Sequence, residues 1–191
     1  MGREFERKFR ADADKIAAIR EKYGEFTPIS METVYYDTPG GDLGKLRWTL
    51  RRRYENGISV CTLKTPAPGG ARGEWETRCG AIEDGVLELC KLGAPRELLV
   101  LTVNGVTEVC GARFTRLAKM LELENCTVEL ALDRGVLLGG GQELPFAEVE
   151  VECKSGSEAA AEAFAERLAA DFGLAPEYAS KHKRALALTK E

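Results

Sequence analysis

Glu148, Glu150 and Glu152 stand at every second position of Phe146–Lys154, separated by Val149 and Val151. In an extended strand, residues i and i+2 share a face with Cα atoms roughly 7 Å apart, so these carboxylates project to one side and can converge on one ion. Their oxygens suit a hard cation such as Mg²⁺, which takes ligands at about 2.1 Å and keeps waters and substrate phosphates in its shell. The spacing recurs with other charges. Glu4, Glu6 and Lys8 alternate with Phe5, Arg7 and Phe9, and Arg47, Thr49, Arg51 and Arg53 oppose Leu46, Trp48 and Leu50. Thr62 and Lys64 oppose Cys61 and Leu63, while Arg72, Glu74, Glu76 and Arg78 oppose Trp75, Thr77 and Cys79. Glu129 and Asp133 oppose Val128, Leu130 and Leu132. Guanidinium forks and ammonium groups are phosphate ligands. Acids for a divalent ion and bases for phosphates together equip a surface for a polyphosphate.

These faces require strands, and the punctuation of the chain supplies them. Glu55-Asn56-Gly57 between Leu46–Tyr54 and Ile58–Lys64 is a hairpin signal. Further strands are read at Glu4–Phe9, Thr27–Asp37, Arg72–Cys79, Thr107–Leu123, Thr127–Asp133 and Phe146–Lys154, with Gly139-Gly140-Gly141 a turn. Helical periodicity marks a helix started by Asp12 or Asp14 and running to Tyr23, ended by Gly24, and another over Ile82–Leu101, interrupted by Gly93 and Pro95. The Ala-rich helix Glu158–Phe172 is capped by Ser157 and packs on the sheet, and a last helix spans Tyr178–Leu188. Hairpin-linked strands with helices outside them predict an antiparallel α+β fold, one domain over residues 1–191.

A solvated polar face explains any one such strand. Six together are different, because their polar positions hold almost nothing but ionised groups. Helices can cover only the apolar side, so the charged faces share either one open surface or the interior of a barrel. The acids on it are Glu4, Glu6, Glu74, Glu76, Glu129, Asp133, Glu148, Glu150 and Glu152; the bases are Lys8, Arg47, Arg51, Arg53, Lys64, Arg72, Arg78 and Arg113. A dry interior would charge several kcal/mol for each unpaired ion, whereas a wet tunnel tolerates them.

Composition narrows the function. The 191 residues carry 27 Lys plus Arg against 31 Asp plus Glu, a formal net charge of -4, which excludes a general nucleic-acid coat. The near balance is what an acid–base lining sums to. One His removes most His-ligated zinc sites and His-based triads. No apolar run reaches membrane-spanning length, and Met1–Phe9 lacks a signal core, so a cytoplasmic protein is expected, binding neither nucleic acid nor membrane. The six cysteines, with no Cys-x-x-Cys pair, read as reduced and mostly buried. His182 reads as a solvated helix residue, Trp48 and Trp75 as core, and at most one of Tyr35 and Tyr36 faces the charged side.

Glu4-Phe5-Glu6-Arg7-Lys8 resembles the Glu-x-Glu-x-Lys signature of the CYTH family, the triphosphate tunnel metalloenzymes. Ordered companions follow: Tyr35-Tyr36-Asp37-Thr38, Leu50-Arg51-Arg52-Arg53, Thr62-Leu63-Lys64, Arg72-Gly73-Glu74-Trp75-Glu76, Arg113-Phe114-Thr115-Arg116, the Glu129–Gly135 run, Glu148–Lys154, and Ser180-Lys181 with Arg184. The resemblance covers essentially the whole chain. It implies an eight-stranded antiparallel β-barrel forming a tunnel with helices packed outside, using Mg²⁺ or Mn²⁺. On it, Glu4, Glu6 and Lys8 are catalytic positions. Glu4, Glu6, Glu74, Glu76, Glu129, Asp133, Glu148, Glu150 and Glu152 are metal positions. Lys8, Arg51, Arg53, Lys64, Arg72, Arg113 and Lys181 bind substrate, with Arg116 able to replace or join Arg113. Thr62 stands where some members carry a second base, and no helical polyphosphate-associated domain is expected.

The expected partner is a small polyanionic triphosphate, acted on by a monomer or homodimer. Inorganic triphosphate is favoured over thiamine triphosphate. A class IV-type adenylate cyclase would need adenine and ribose contacts that the sequence does not offer. The rival of another class is a non-catalytic polyphosphate- or nucleotide-binding module.

Overall fold

The computed structural model describes residues 5–66 and 72–190, Arg72 by its backbone alone. In chain order the strands are β1 (Phe5–Arg10), β2 (Thr27–Asp37), β3 (Thr49–Glu55), β4 (Ile58–Pro66), β5 (Arg72–Arg78), β6 (Thr107–Glu122), β7 (Cys126–Gly139), β8 (Gln142–Gly156) and the two-residue β9 (Ala175–Pro176). The helices are α1 (Ala13–Tyr23), α2 (Asp42–Lys45), α3 (Ile82–Lys91), α4 (Glu97–Leu101), α5 (Glu158–Phe172) and α6 (Lys181–Ala187). The strands form one antiparallel sheet in the order β5-β4-β3-β2-β6-β7-β8-β1-β9. Eight of them are the expected strands. β9 is an addition on the far side of β1, and no backbone pairing joins β5 to β1 or β9 among the described residues. The sheet therefore curls without closing its hydrogen-bond ladder.

Local chemistry explains the elements. The β3–β4 turn places Asn56 at φ 48° and Gly57 at φ 84°, the left-handed pair that a two-residue hairpin turn needs. The Asp12 side chain accepts from the Lys15 amide to start α1, and Ser157 does the same for α5 through the Ala160 amide.

Outside the curled sheet the apolar positions divide into two cores. Phe9, Val128, Leu130, Leu132, Val149 and Val151 meet Ile16 and Ile19 of α1 and Ala161, Phe164, Ala165 and Leu168 of α5. Burying a Leu or Phe of this kind stabilises by about 1.5–3 kcal/mol. Leu50, Cys61, Leu63 and Tyr36 meet Leu43 of α2, Val86 and Leu89 of α3 and Leu98 of α4, with Trp48 and Trp75 packed at the border. A third cluster, Met31, Tyr35, Ala112, Phe114, Leu137 and Phe146, takes Ala185 of α6 and Leu188 just beyond it. It belongs to the concave side. α6 thus fills part of the space that the sheet encloses.

The reduced-cysteine expectation is corrected for one pair. Cys61 and Cys79 form a disulfide with Cα atoms 6.0 Å apart, while Cys90, Cys110, Cys126 and Cys153 are free. The cause is register: Cys61 lies opposite Thr77, which puts Cys79 on its diagonal and on the same outward face. Helix α3 seats Gly85 on the bond, where an added Cβ would meet Cys61 Sγ at 2.3 Å.

Candidate functional site: a charged tunnel

The concave face encloses a cavity of about 620 Å³. Its lining draws on both ends of the strand order: Glu74 and Glu76 of β5 at one edge, Glu6 and Lys8 of β1 at the other. Thr49, Arg51, Arg53 and Glu55 come from β3, Lys64 from β4, Arg116 from β6, Glu129 from β7, Glu150, Glu152 and Lys154 from β8, and Ser180, Lys181 and His182 from the start of α6. Strand alternation places them there: Leu50, Leu63, Val149 and Val151 between or beside them are buried in the outer cores, and Arg7 and Arg52 face outward.

Register arranges the acids. Glu152 lies directly opposite Glu6 of β1 on one side and Glu129 of β7 on the other, so three carboxylates form a row across adjacent strands. Directly opposed residues hold their Cβ atoms about 4.5–5.5 Å apart, close enough to share a cation. Lys154 pairs with Glu152 at 2.6 Å and Lys8 with Glu6 at 3.9 Å. Farther along β8, Glu148 opposes Asp133, and these two with Glu150 bring ligand oxygens within 4.8 Å of one another. This second group is buried and holds side-chain cations. Arg116 donates through Nε and Nη2 to both Asp133 oxygens at 2.8 Å and also to Glu150. Lys181 Nζ lies 2.7 Å from Asp133 and 2.8 Å from Glu150 and also contacts Glu148, which Arg184 meets from α6.

The charges shift accordingly. Glu150 is penalised by burial, yet Lys181 and Arg116 hold it well below the ordinary carboxylate range. Burial pushes Glu148 above that range, with Lys181 opposing. Lys181 and Arg116 are raised above their usual values because the neighbouring acids outweigh burial.

Arg51 differs from these. It makes no hydrogen bond or ion pair among the described residues, and its Nε is buried without a partner. Burial, then the adjacent charge of Arg53, lowers its pKa. Arg53 also keeps a buried, unpartnered Nε, although its Nη1 reaches Glu55 at 3.1 Å.

Most expected site residues line the cavity: Glu6, Lys8, Arg51, Arg53, Lys64, Glu74, Glu76, Glu129, Glu150, Glu152 and Lys181. Asp133 and Glu148 sit fully buried behind Lys181. Glu4 lies outside the described residues, as does the Arg72 side chain. Arg113 is exposed and pairs with Glu143 at 3.0 Å, whereas Arg116 is the β6 base of the lining. Arg47 precedes β3 with φ 57° and is exposed, away from the lining. Arg78 borders a second cavity with Ile29, Ile58 and Val60.

Sequence reasoning missed Glu55, Tyr35 and His182 as definite wall residues. His182 is half-buried, not solvated, stacked on Tyr35 with ring centroids 4.6 Å apart, and burial lowers its pKa. Its proximity to Lys181 was the available signal.

A curled antiparallel sheet encloses one cavity lined by both acids and bases. The CYTH domain model matches residues 2–186, and the chain belongs to the CYTH family. An inorganic triphosphatase from Haemophilus influenzae is 28% identical over 135 residues, covering 70% of this chain; the chain matches 38% of that relative's length. The fold is similar to a candidate adenylate cyclase from Bacillus halodurans, with TM-score 0.67 and 22% identity over 94% of this chain and 96% of that one. It is also similar to HpAC1 from Hippeastrum, a candidate adenylyl cyclase with a dominant triphosphatase activity, at TM-score 0.66 and 17% identity over 99% and 97% of the two chains. The PH1819 protein from Pyrococcus horikoshii gives TM-score 0.64 and 24% identity over 96% and 98%.

Proposed function

We propose that this chain hydrolyses inorganic triphosphate in the tunnel with a divalent cation, Mg²⁺ or Mn²⁺. One observation carries the reading: the buried, unpartnered donors of Arg51 and Arg53 share a single cavity with the Glu6–Glu152–Glu129 carboxylate row. The inorganic triphosphatase relative supports the choice of substrate.

The carboxylate row offers hard oxygen donors on adjacent strands, which fit a divalent ion better than a soft metal. Glu6, Glu129 and Glu152, with Glu4 by its place in the signature, would hold it. Bound there, the ion would supply charge neutralisation at the phosphate oxygens. The chain's own groups do the rest. Arg51, Arg53, Lys8 and Lys64 bind and align the phosphates, and their fixed positive charge meets the negative charge as it redistributes in the transition state. A tunnel carboxylate orients the attacking water in line with the terminal phosphorus and accepts its proton.

The test is phosphate release from tripolyphosphate with Mg²⁺ or Mn²⁺, compared with thiamine triphosphate and ATP. The expected result is metal-dependent release, fastest with tripolyphosphate. Tight tripolyphosphate binding without release would replace the enzyme with a binding module.

A further inference from the structure

The tunnel acids fall into two groups whose surroundings differ. Asp133, Glu148 and Glu150 are the one described cluster whose oxygens all lie within 4.8 Å, the geometry of a cation site. A cation already sits among them. Lys181 Nζ is 2.7 Å from Asp133, 2.8 Å from Glu150 and in contact with Glu148. The same nitrogen lies 5.0 Å from the Phe114 ring centroid and 5.5 Å from that of Phe146. Three carboxylates and two aromatic faces make a cage for an ammonium ion. The rings offer no ligand atom to Mg²⁺ or Mn²⁺, which demand near-octahedral oxygen coordination with several waters.

Charge counting agrees. Asp133, Glu148 and Glu150 face Lys181, Arg116 and Arg184, two of which also reach outer acids, Arg116 to Glu129 at 3.6 Å and Arg184 to Glu177 at 3.8 Å, so every carboxylate of the buried group already has a side-chain cation. A dication entering it would meet three unit positive charges at close range in a poorly hydrated site, where repulsion is weakly screened. Nor can Lys181 leave easily, because α6 is anchored by Ala185 and Leu188 in the core beside Phe114 and Phe146. The row of Glu6, Glu129 and Glu152 is different: its side chains are part-exposed and border the open cavity. Glu152 stands two residues from Glu150 along β8, roughly 7 Å by strand rise, so the two groups differ less in distance than in the side-chain cations that Asp133, Glu148 and Glu150 already hold.

We propose that Lys181 is a built-in counter-ion that takes the place of a metal in the Asp133–Glu148–Glu150 group and so confines divalent cations to the Glu6–Glu129–Glu152 row. The second half of this statement rests on the metal-dependent reading above. Lys181 is then a positioning residue. It decides where in the tunnel the metal sits, and hence which phosphate the metal meets.

The experiment is Mn²⁺ binding to the purified chain without substrate, counted by titration calorimetry and by loss of the free Mn²⁺ electron paramagnetic resonance signal. In the otherwise native chain, Asp133→Asn should leave the number of bound ions unchanged. Lys181→Met should bind one more Mn²⁺ per chain than the native protein, and Asp133→Asn added to it should remove the gain. Lys181→Arg, which keeps the charge, should bind the native number. Loss of an ion on Asp133→Asn alone, or no gain in a folded Lys181→Met, would overturn the proposal. Should Lys181→Met not fold, Asp133→Asn and Lys181→Arg still decide the outcome through the native count. Glu152→Gln tests the other reading separately: an unchanged count there removes the carboxylate row as the metal site, while the gain in Lys181→Met is read independently of it.

Discussion

Arg51→Met should separate activity from stability. The guanidinium of Arg51 has no partner among the described residues and lines the tunnel beside Arg53. A hydrogen bond to a charged group is worth about 1.5–3 kcal/mol, and about 1.4 kcal/mol is a factor of ten, so losing one phosphate contact should lower kcat/KM roughly 10- to 150-fold. The folded state should barely notice. Taking the strand spacing of about 7 Å as the charge separation, repulsion between Arg51 and Arg53 amounts to about 0.6–2.4 kcal/mol for effective dielectrics of 80 to 20. Attraction of Arg51 to Glu74 and Glu76 is of opposite sign and offsets much of it. The melting temperature should therefore stay within about 3 °C of the native value. Arg52→Met is the matched control, because Arg52 faces outward, donating to the Gly80 carbonyl at 3.0 Å and lying over Tyr54 at 5.2 Å. Steady-state phosphate release and thermal melts of both variants check this. Equal losses in the two, or full activity in Arg51→Met, would refute the assignment of faces.

Glu152→Gln should abolish metal-dependent turnover while circular dichroism shows an intact sheet, since the position is at the cavity and not in an apolar core. Acid should destabilise the protein through Glu150: its folded pKa is depressed, so its contribution is complete above the unfolded value of about 4.3 and is lost as pH falls below that. Melts between pH 7 and pH 3 should show this decline, and Glu150→Gln should flatten it. Cys79→Ser should cost about 3 kcal/mol by opening the 18-residue link to Cys61, read as a lower denaturation midpoint that a reducing agent does not lower further.

The site was legible to the extent that alternation alone could place a residue. Glu148, Glu150 and Glu152 alternate with Val149 and Val151, which must be buried, so their face has one solution, and Leu50, on the same face as Arg52, sets Arg51 and Arg53 on the other. β6 was not legible this way. Its inward positions Cys110, Ala112, Phe114 and Arg116 and its outward positions Arg113, Thr115, Leu117 and Lys119 both mix apolar with charged residues. Period two cannot choose between such faces, and a shift of one residue exchanges Arg113 for Arg116. The Cys61–Cys79 bond was hidden for a related reason: it depends on which residue of β5 lies opposite Cys61.

By itself the sequence determined that this chain builds antiparallel strands with one ionised face, and that their acids and bases nearly cancel, because side-chain alternation and charge are local properties. Only the tertiary structure decided which charges answer one another. Asp133, Glu148 and Glu150 lie on two strands, yet the cation they share comes from Lys181, about thirty residues beyond the last of them. That pairing arises when α6 buries Ala185 and Leu188 inside the curl of the sheet, a packing event that no local pattern encodes.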